Sequence, residues 1–128
     1  MLKTIQLSAG EGKHLVSVIA TVTADGLVVQ VMGGEKSHVG AVVMSLPRPS
    51  LSHRDSLSCN SYVLPRLNHK DDELAKPVAE KLAQYYGVPV VVVAGLHVDN
   101  ASPRDIKLLI DNTNLAVDKL MAELTLPC

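Results

Sequence analysis

Apolar and polar residues alternate from Leu2 to Ser8 with the two-residue period of a half-buried strand. Gly10-Glu11-Gly12 breaks that pattern as a turn, and a second β-rich run follows from His14 to Thr23. Ala24-Asp25-Gly26 marks another tight turn, because Asp-Gly accepts the positive φ angles of primed hairpin turns. Leu27 to Met32 then predicts a third strand, Gly33 to Ser37 a turn, and His38 to Leu46 a fourth strand. Pro47-Arg48-Pro49-Ser50 is expected to end it, since one proline fixes its own φ and the other holds Arg48 extended. Leu51 to Ser58 reads as a polar surface loop, and Asn60 to Leu64 as one more short strand.

Beyond that point the period changes. Asn68 is a candidate N-cap for a helix whose first turn holds Asp71, Asp72 and Glu73, and Leu74, Val78, Leu82 and Tyr85 follow at helical spacing. Pro77 fits poorly inside such a helix, so the alternative start lies near Lys76 with Pro77 in the first turn; Gly87 is the expected stop. Val88 to Ala94 is a nearly unbroken apolar run, which predicts a central strand covered on both faces. Ser102-Pro103-Arg104-Asp105 opens a last helix with Ser as cap, Pro in the first position and an acid in the third. Its apolar stripe runs through Ile106, Leu109, Ile110, Leu115, Val117, Leu120 and Leu124. The pattern predicts one mixed α/β domain over residues 1–128: an N-terminal antiparallel β-meander, a helix, a buried strand and a long C-terminal helix.

Composition narrows the function. With 128 residues, 47% of them hydrophobic, the chain can build one core, and two domains would leave both under-packed. Twelve basic against thirteen acidic residues give a net charge of -1, too little field to draw in nucleic acid or an anionic membrane. Without Trp or Phe, and with three Tyr, the chain lacks stacking platforms for single-stranded nucleic acid. No stretch has the length of a membrane span, and the N-terminus lacks the apolar run of a signal peptide. Cys59 and Cys128 have neither metal-ligand spacing nor the density of a disulfide framework, so a cytoplasmic setting is expected.

Three loops gather the unusual polar residues: His38-Val39-Gly40, Arg48-Pro49-Ser50 and Leu96-His97-Val98-Asp99-Asn100. The last joins a buried strand to a helix start, where ligands of α/β folds commonly settle. His38, His97, Asp99 and Asn100 are candidate contacts to one small ligand, Gly40 a point of close backbone approach, and Arg48 with Ser50 an anion contact. Bland roles stand beside each: Asn100 or Ser102 as helix caps, His38 as a structural histidine, Arg48 as a solvent-facing arm. His69 with Asp71 and Asp72 has the look of a solvated helix start more than of a metal site. No Gly-x-Ser-x-Gly elbow or P-loop is present, since Gly10-Glu11-Gly12-Lys13 is too short and lacks the Ser or Thr that follows a P-loop lysine. No catalytic residue is assigned.

His38-Val39-Gly40-Ala41-Val42, Pro47-Arg48-Pro49-Ser50, His69-Lys70-Asp71-Asp72 and Ala94 to Ala101, in that order, resemble the prenylated flavin chaperone LpdD-like family. The resemblance covers residue 30 to the C-terminus. It implies a fold similar to proteasome assembly chaperones, a homodimer, and a non-catalytic accessory role beside a UbiD-type hydroxybenzoate or gallate decarboxylase that uses prenylated FMN. Under it, Arg48 and the helix amides near Ser102 would meet a flavin phosphate, while His38, His97, Asp99 and Asn100 would meet polar edges of the cofactor or a partner loop. Two readings compete: a small enzyme acting on a carboxylate or phosphate substrate, with His38 or His97 as acid or base and Arg48 as anchor, and a homodimeric assembly module with an apolar sheet face.

Overall fold

The structure, a computed structural model, describes residues 2–52, 56–67 and 70–127. Strands β1 (Lys3–Ala9), β2 (Val16–Val22) and β3 (Leu27–Gly34) form the expected meander, with a short 3-10 turn at Gly12–His14 after the first turn. Strands β4 (Ala41–Pro49) and β5 (Leu57–Pro65) form a second hairpin, followed by helix α1 (Asp72–Tyr86), strand β6 (Val90–His97) and helix α2 (Pro103–Glu123). The sheet order is β1-β2-β3-β6-β4-β5. The meander therefore stops at β3, because β6 inserts between β3 and β4, parallel to the first and antiparallel to the second.

Two further departures from the sequence pattern have physical causes. β4 runs through both prolines instead of ending before them. The Ser50 N–H donates to the Ser56 carbonyl and the Arg66 N–H to the Gly40 carbonyl, so even-numbered backbone groups of β4 face β5. Pro47 and Pro49 then face the other side, where pairing with β6 has already stopped at Ser45 opposite Val90, and a missing N–H costs nothing there. Consequently β5 is also longer than expected, pairing from Leu57 opposite Pro49 to Pro65 opposite Ala41.

Both helices lie on one face of the sheet, α1 over β4, β5 and β6 and α2 over β1 and β2. Under them Val18, Val29, Val43, Val92, Leu82 and Leu120 are fully buried. β6 is thus covered on one face only: Val90, Val92 and Ala94 point into the core while Val91 and Val93 stay partly exposed on the other.

α2 begins as the sequence predicts, with Ser102 as cap. α1 begins at Asp72 with Asp71 as its cap residue, so Pro77 sits inside the helix and the start near Lys76 does not occur. Asn68 and His69, the expected cap and its neighbour, lie outside the described residues. Gly87, at φ 67, closes α1 through its N–H to the Ala83 carbonyl. Among the described residues no helix is long and apolar enough to cross a membrane.

Candidate functional site

Because α1 follows β5 and α2 follows β6, both helices start at the same end of the sheet, the carboxyl end of β6. There a cleft of about 870 Å³ opens between their first turns. Leu74, Pro77 and Val78 of α1 face Ile106, Leu109 and Ile110 of α2 across it. Ile106 and Ile110 are 50% and 44% exposed, so the cleft leaves apolar surface in contact with water.

The polar end of the cleft is built on Asp71. One carboxylate oxygen of Asp71 accepts the Leu96 N–H at 3.1 Å, and the other lies 3.0 Å from Nε2 of His38. This residue makes no side-chain cap bond in its own helix; it ties the α1 start to the end of β6 and to the segment before β4. Two glycines permit the approach. A Cβ on Gly95 would overlap the His38 carbonyl, and one on Gly40 would overlap the Asp71 carboxylate.

His97 reaches the same place from the end of β6. Its ring stands edge-on to that of His38 with centroids 6.4 Å apart, and its Nε2 lies 2.9 Å from Oδ1 of Asp99. That hydrogen bond, and next the Lys36 charge, hold the Asp99 carboxyl below the usual carboxylate range. The His97 carbonyl accepts the Glu35 N–H at 2.7 Å, and Glu35 Oε1 accepts the Asp99 N–H at 2.9 Å, so the segments at 35–38 and 97–99 are laced together.

The eight candidate residues do not all meet. His38 and His97 line the cleft, with Gly40 against its Asp71 floor and Asp99 holding His97 from behind. Asn100 is an exposed turn residue with φ 52, a conformation Asn tolerates. Ser102 is taken up in a capping box, its hydroxyl accepting the Asp105 N–H at 3.1 Å while Asp105 accepts the Ser102 N–H at 2.9 Å. The Ser102 and Asp105 amides at the α2 start are thus already bonded within the chain.

Arg48 lies at the opposite end. It sits seven positions along β4 from Ala41, which is level with Ala94, and roughly 3.3 Å per residue puts it about 20 Å or more from His97. Its Nε donates to Oδ1 of Asn60 at 2.9 Å, and Ser50 sits beyond it in the β4–β5 turn. One shared positive hollow is thus not formed. The two imidazoles that an acid–base reading needs do converge, but its arginine anchor is absent from the cleft.

Lys70, Glu73, Leu74, Pro77 and the α2 isoleucines were not singled out as site residues from the sequence. The available signal was Ile106 and Ile110 together, which widen the α2 apolar stripe at its N-terminal end. A second hollow of about 560 Å³ lies at the far end of the helices near Tyr85 and Tyr86, but it is lined by no basic side chain, and the Tyr86 hydroxyl already donates to the Leu124 carbonyl at 2.8 Å. Among the described residues no three His, Cys, Asp or Glu side chains gather as metal ligands.

A family model described as the prenylated flavin chaperone LpdD-like domain matches residues 10–125. The chain belongs to the prenylated flavin chaperone LpdD-like family. The match spans the cleft and its whole scaffold, from the β1–β2 turn past the end of α2. No curated protein sequence matches this LpdD-like chain. Among solved structures it is similar to a chain of a chaperone complex for yeast 20S proteasome assembly, with 21% identity over 94% of this chain and 93% of that one and a TM-score of 0.58. At that identity the likeness is one of fold: a sheet with its helices on one side, as the resemblance implied.

Proposed function

We propose that this LpdD-like protein is a non-catalytic, cytoplasmic accessory chaperone that holds prenylated FMN, or FMN, in the cleft beside His38 and His97 and serves a UbiD-type hydroxybenzoate or gallate decarboxylase subunit. The observation that carries this reading is the cleft itself. An open space of about 870 Å³ falls in the range of cofactor sites, and its apolar walls with a few fixed polar groups at one end match how such sites are lined. Family membership supplies the ligand class. Calorimetric titration of the purified protein with prenylated FMN and FMN, together with co-purification against the decarboxylase subunit, tests it. Saturable binding in either assay supports the reading; none in both leaves it without a ligand or a client.

We also infer that the protein works as a homodimer joined through the open face of the sheet. Val42, Met44, Tyr62, Leu64, Val91 and Val93 occupy register positions opposite to the core-facing ones, and Met44, Tyr62 and Leu64 are exposed. Every outward position of β2, β3, β4 and β6 within these pairings is uncharged except Arg48 at the rim, and depletion of charge at the centre is the mark of an interface. A face with no sign of its own suits a second copy of itself, packed about 10 Å away sheet on sheet. Light scattering should give twice the chain mass, and Met44→Asp should return the monomer; a monomer at high concentration for the unaltered protein would defeat this inference.

A further inference from the structure

Resting on the reading of the cleft as a flavin site, we propose that the protein grips its ligand by the prenyl-derived carbons and the ring edge, and leaves the phosphate outside. Three observations converge on this. Leu74, Pro77 and Val78 face Ile106, Leu109 and Ile110, and the two isoleucines are the exposed apolar surface that a ligand would cover. Hydrocarbon entering between them is removed from water on both sides.

Charge argues the same way. With the His38 and His97 imidazoles counted neutral, the described lining carries one ammonium group, Lys70, against two carboxylates, Asp71 and Glu73, and no arginine. A dianionic group placed there meets net like charge.

Both helix starts, the usual amide seats for phosphate, are already supplied with anions by the chain. Asp72 and Glu73 stand in the first turn of α1 with Asp71 as its cap residue, and Asp105 closes the capping box of α2. What the polar end does offer is directional: with His38 held by Asp71 and the Lys36 carbonyl, the Nδ1 side of the His97 ring and the Asn114 side chain can meet the donors and acceptors of a flat heteroaromatic edge. A carrier that leaves the phosphate in solvent also leaves an acceptor enzyme a handle by which to take the ligand.

The test is a calorimetric comparison on the full chain of prenylated FMN, prenylated riboflavin, FMN, and prenylated FMN in excess inorganic phosphate. Removing the phosphate should change Kd by less than about threefold, removing the prenyl-derived carbons should weaken binding by about tenfold or more, and inorganic phosphate should not compete. Ile110→Asp, at a position exposed enough to accept a charge, should weaken prenylated FMN by about tenfold or more without lowering the thermal midpoint. A tenfold loss on removing the phosphate, or equal affinity for FMN and prenylated FMN, would overturn this inference while leaving the flavin reading intact. Failure of all the flavins to bind would remove both.

Discussion

Among the described residues, two of the three His–Asp pairs have nearly the same design, each at the start of a helix, and only one of those two lines the cleft. His14 Nε2 lies 2.7 Å from Oδ1 of Asp105, and His38 Nε2 lies 3.0 Å from Oδ2 of Asp71. Both aspartates also accept a backbone N–H, from Ser102 in the first pair and Leu96 in the second. The difference is where that N–H belongs. Asp105 bonds within its own helix start, so its pair completes a cap and is spent on α2. Asp71 bonds to the end of another element, so its pair holds α1, β6 and the segment before β4 together and becomes the floor of a cleft. A His–Asp pair is a candidate site when the carboxylate's backbone bond also crosses between elements beside open space, and a structural lock when that backbone bond closes locally.

The comparison can be broken first by attacking one pair and sparing the other. Gly95→Val should have the largest effect, since its side chain must displace the His38 backbone: a loss of about 2–3 kcal/mol in urea unfolding is expected, with prenylated FMN binding abolished. Next is Asp71→Ala, which leaves the Leu96 N–H without its acceptor. Stability should fall by about 1–2 kcal/mol and flavin affinity by about tenfold.

On the other side, Ser102→Ala removes the α2 cap and should cost about 1 kcal/mol while flavin titrations stay unchanged. Acid sharpens the same contrast. The Ser102 N–H bond, and then the His14 ring, hold the Asp105 carboxyl well below the ordinary carboxylate range. A depressed folded-state value means the stabilisation is complete above about pH 3.9, where unfolded Asp ionises, and is lost as pH falls further. The thermal midpoint of the unaltered protein should therefore exceed that of Asp105→Asn at neutral pH, and the gap should shrink below about pH 4. An equal gap at pH 7 and pH 2 would show that Asp105 does not act through its charge.

The two pairs also mark what the sequence makes legible. Ser102-Pro103-Arg104-Asp105 declares its own role, because a capping box is a matter of residues three apart. Asp71 does not, because the N–H it binds is 25 residues away and its neighbours Asp72 and Glu73 make it look like one more helix-start acid. The convergence of His38 with His97 was legible from their positions at strand ends, and Gly95 inside an apolar run was the available hint of a backbone crossing there. The insertion of β6 between β3 and β4 was not: a strand that opens with four valines states that it is central without stating its neighbours. That missing pairing also hid the course of β4, since its prolines are tolerated only where β6 has ended, and it is this continuation that carries Arg48 away from the histidines.

The smallest predicted effect follows from that displacement. Arg48→Ala loses a side-chain bond to Asn60 at a partly exposed position, so stability should change by no more than about 0.5 kcal/mol. Flavin affinity should stay within about twofold, because a charge some 20 Å away through salt water is beyond the Debye length of about 8 Å. The result is informative because a guanidinium would be the obvious phosphate partner if the ligand lay elsewhere. A tenfold loss of affinity in Arg48→Ala would move the site to the opposite end of the sheet and make the His38 pair, like the His14 pair, a structural lock.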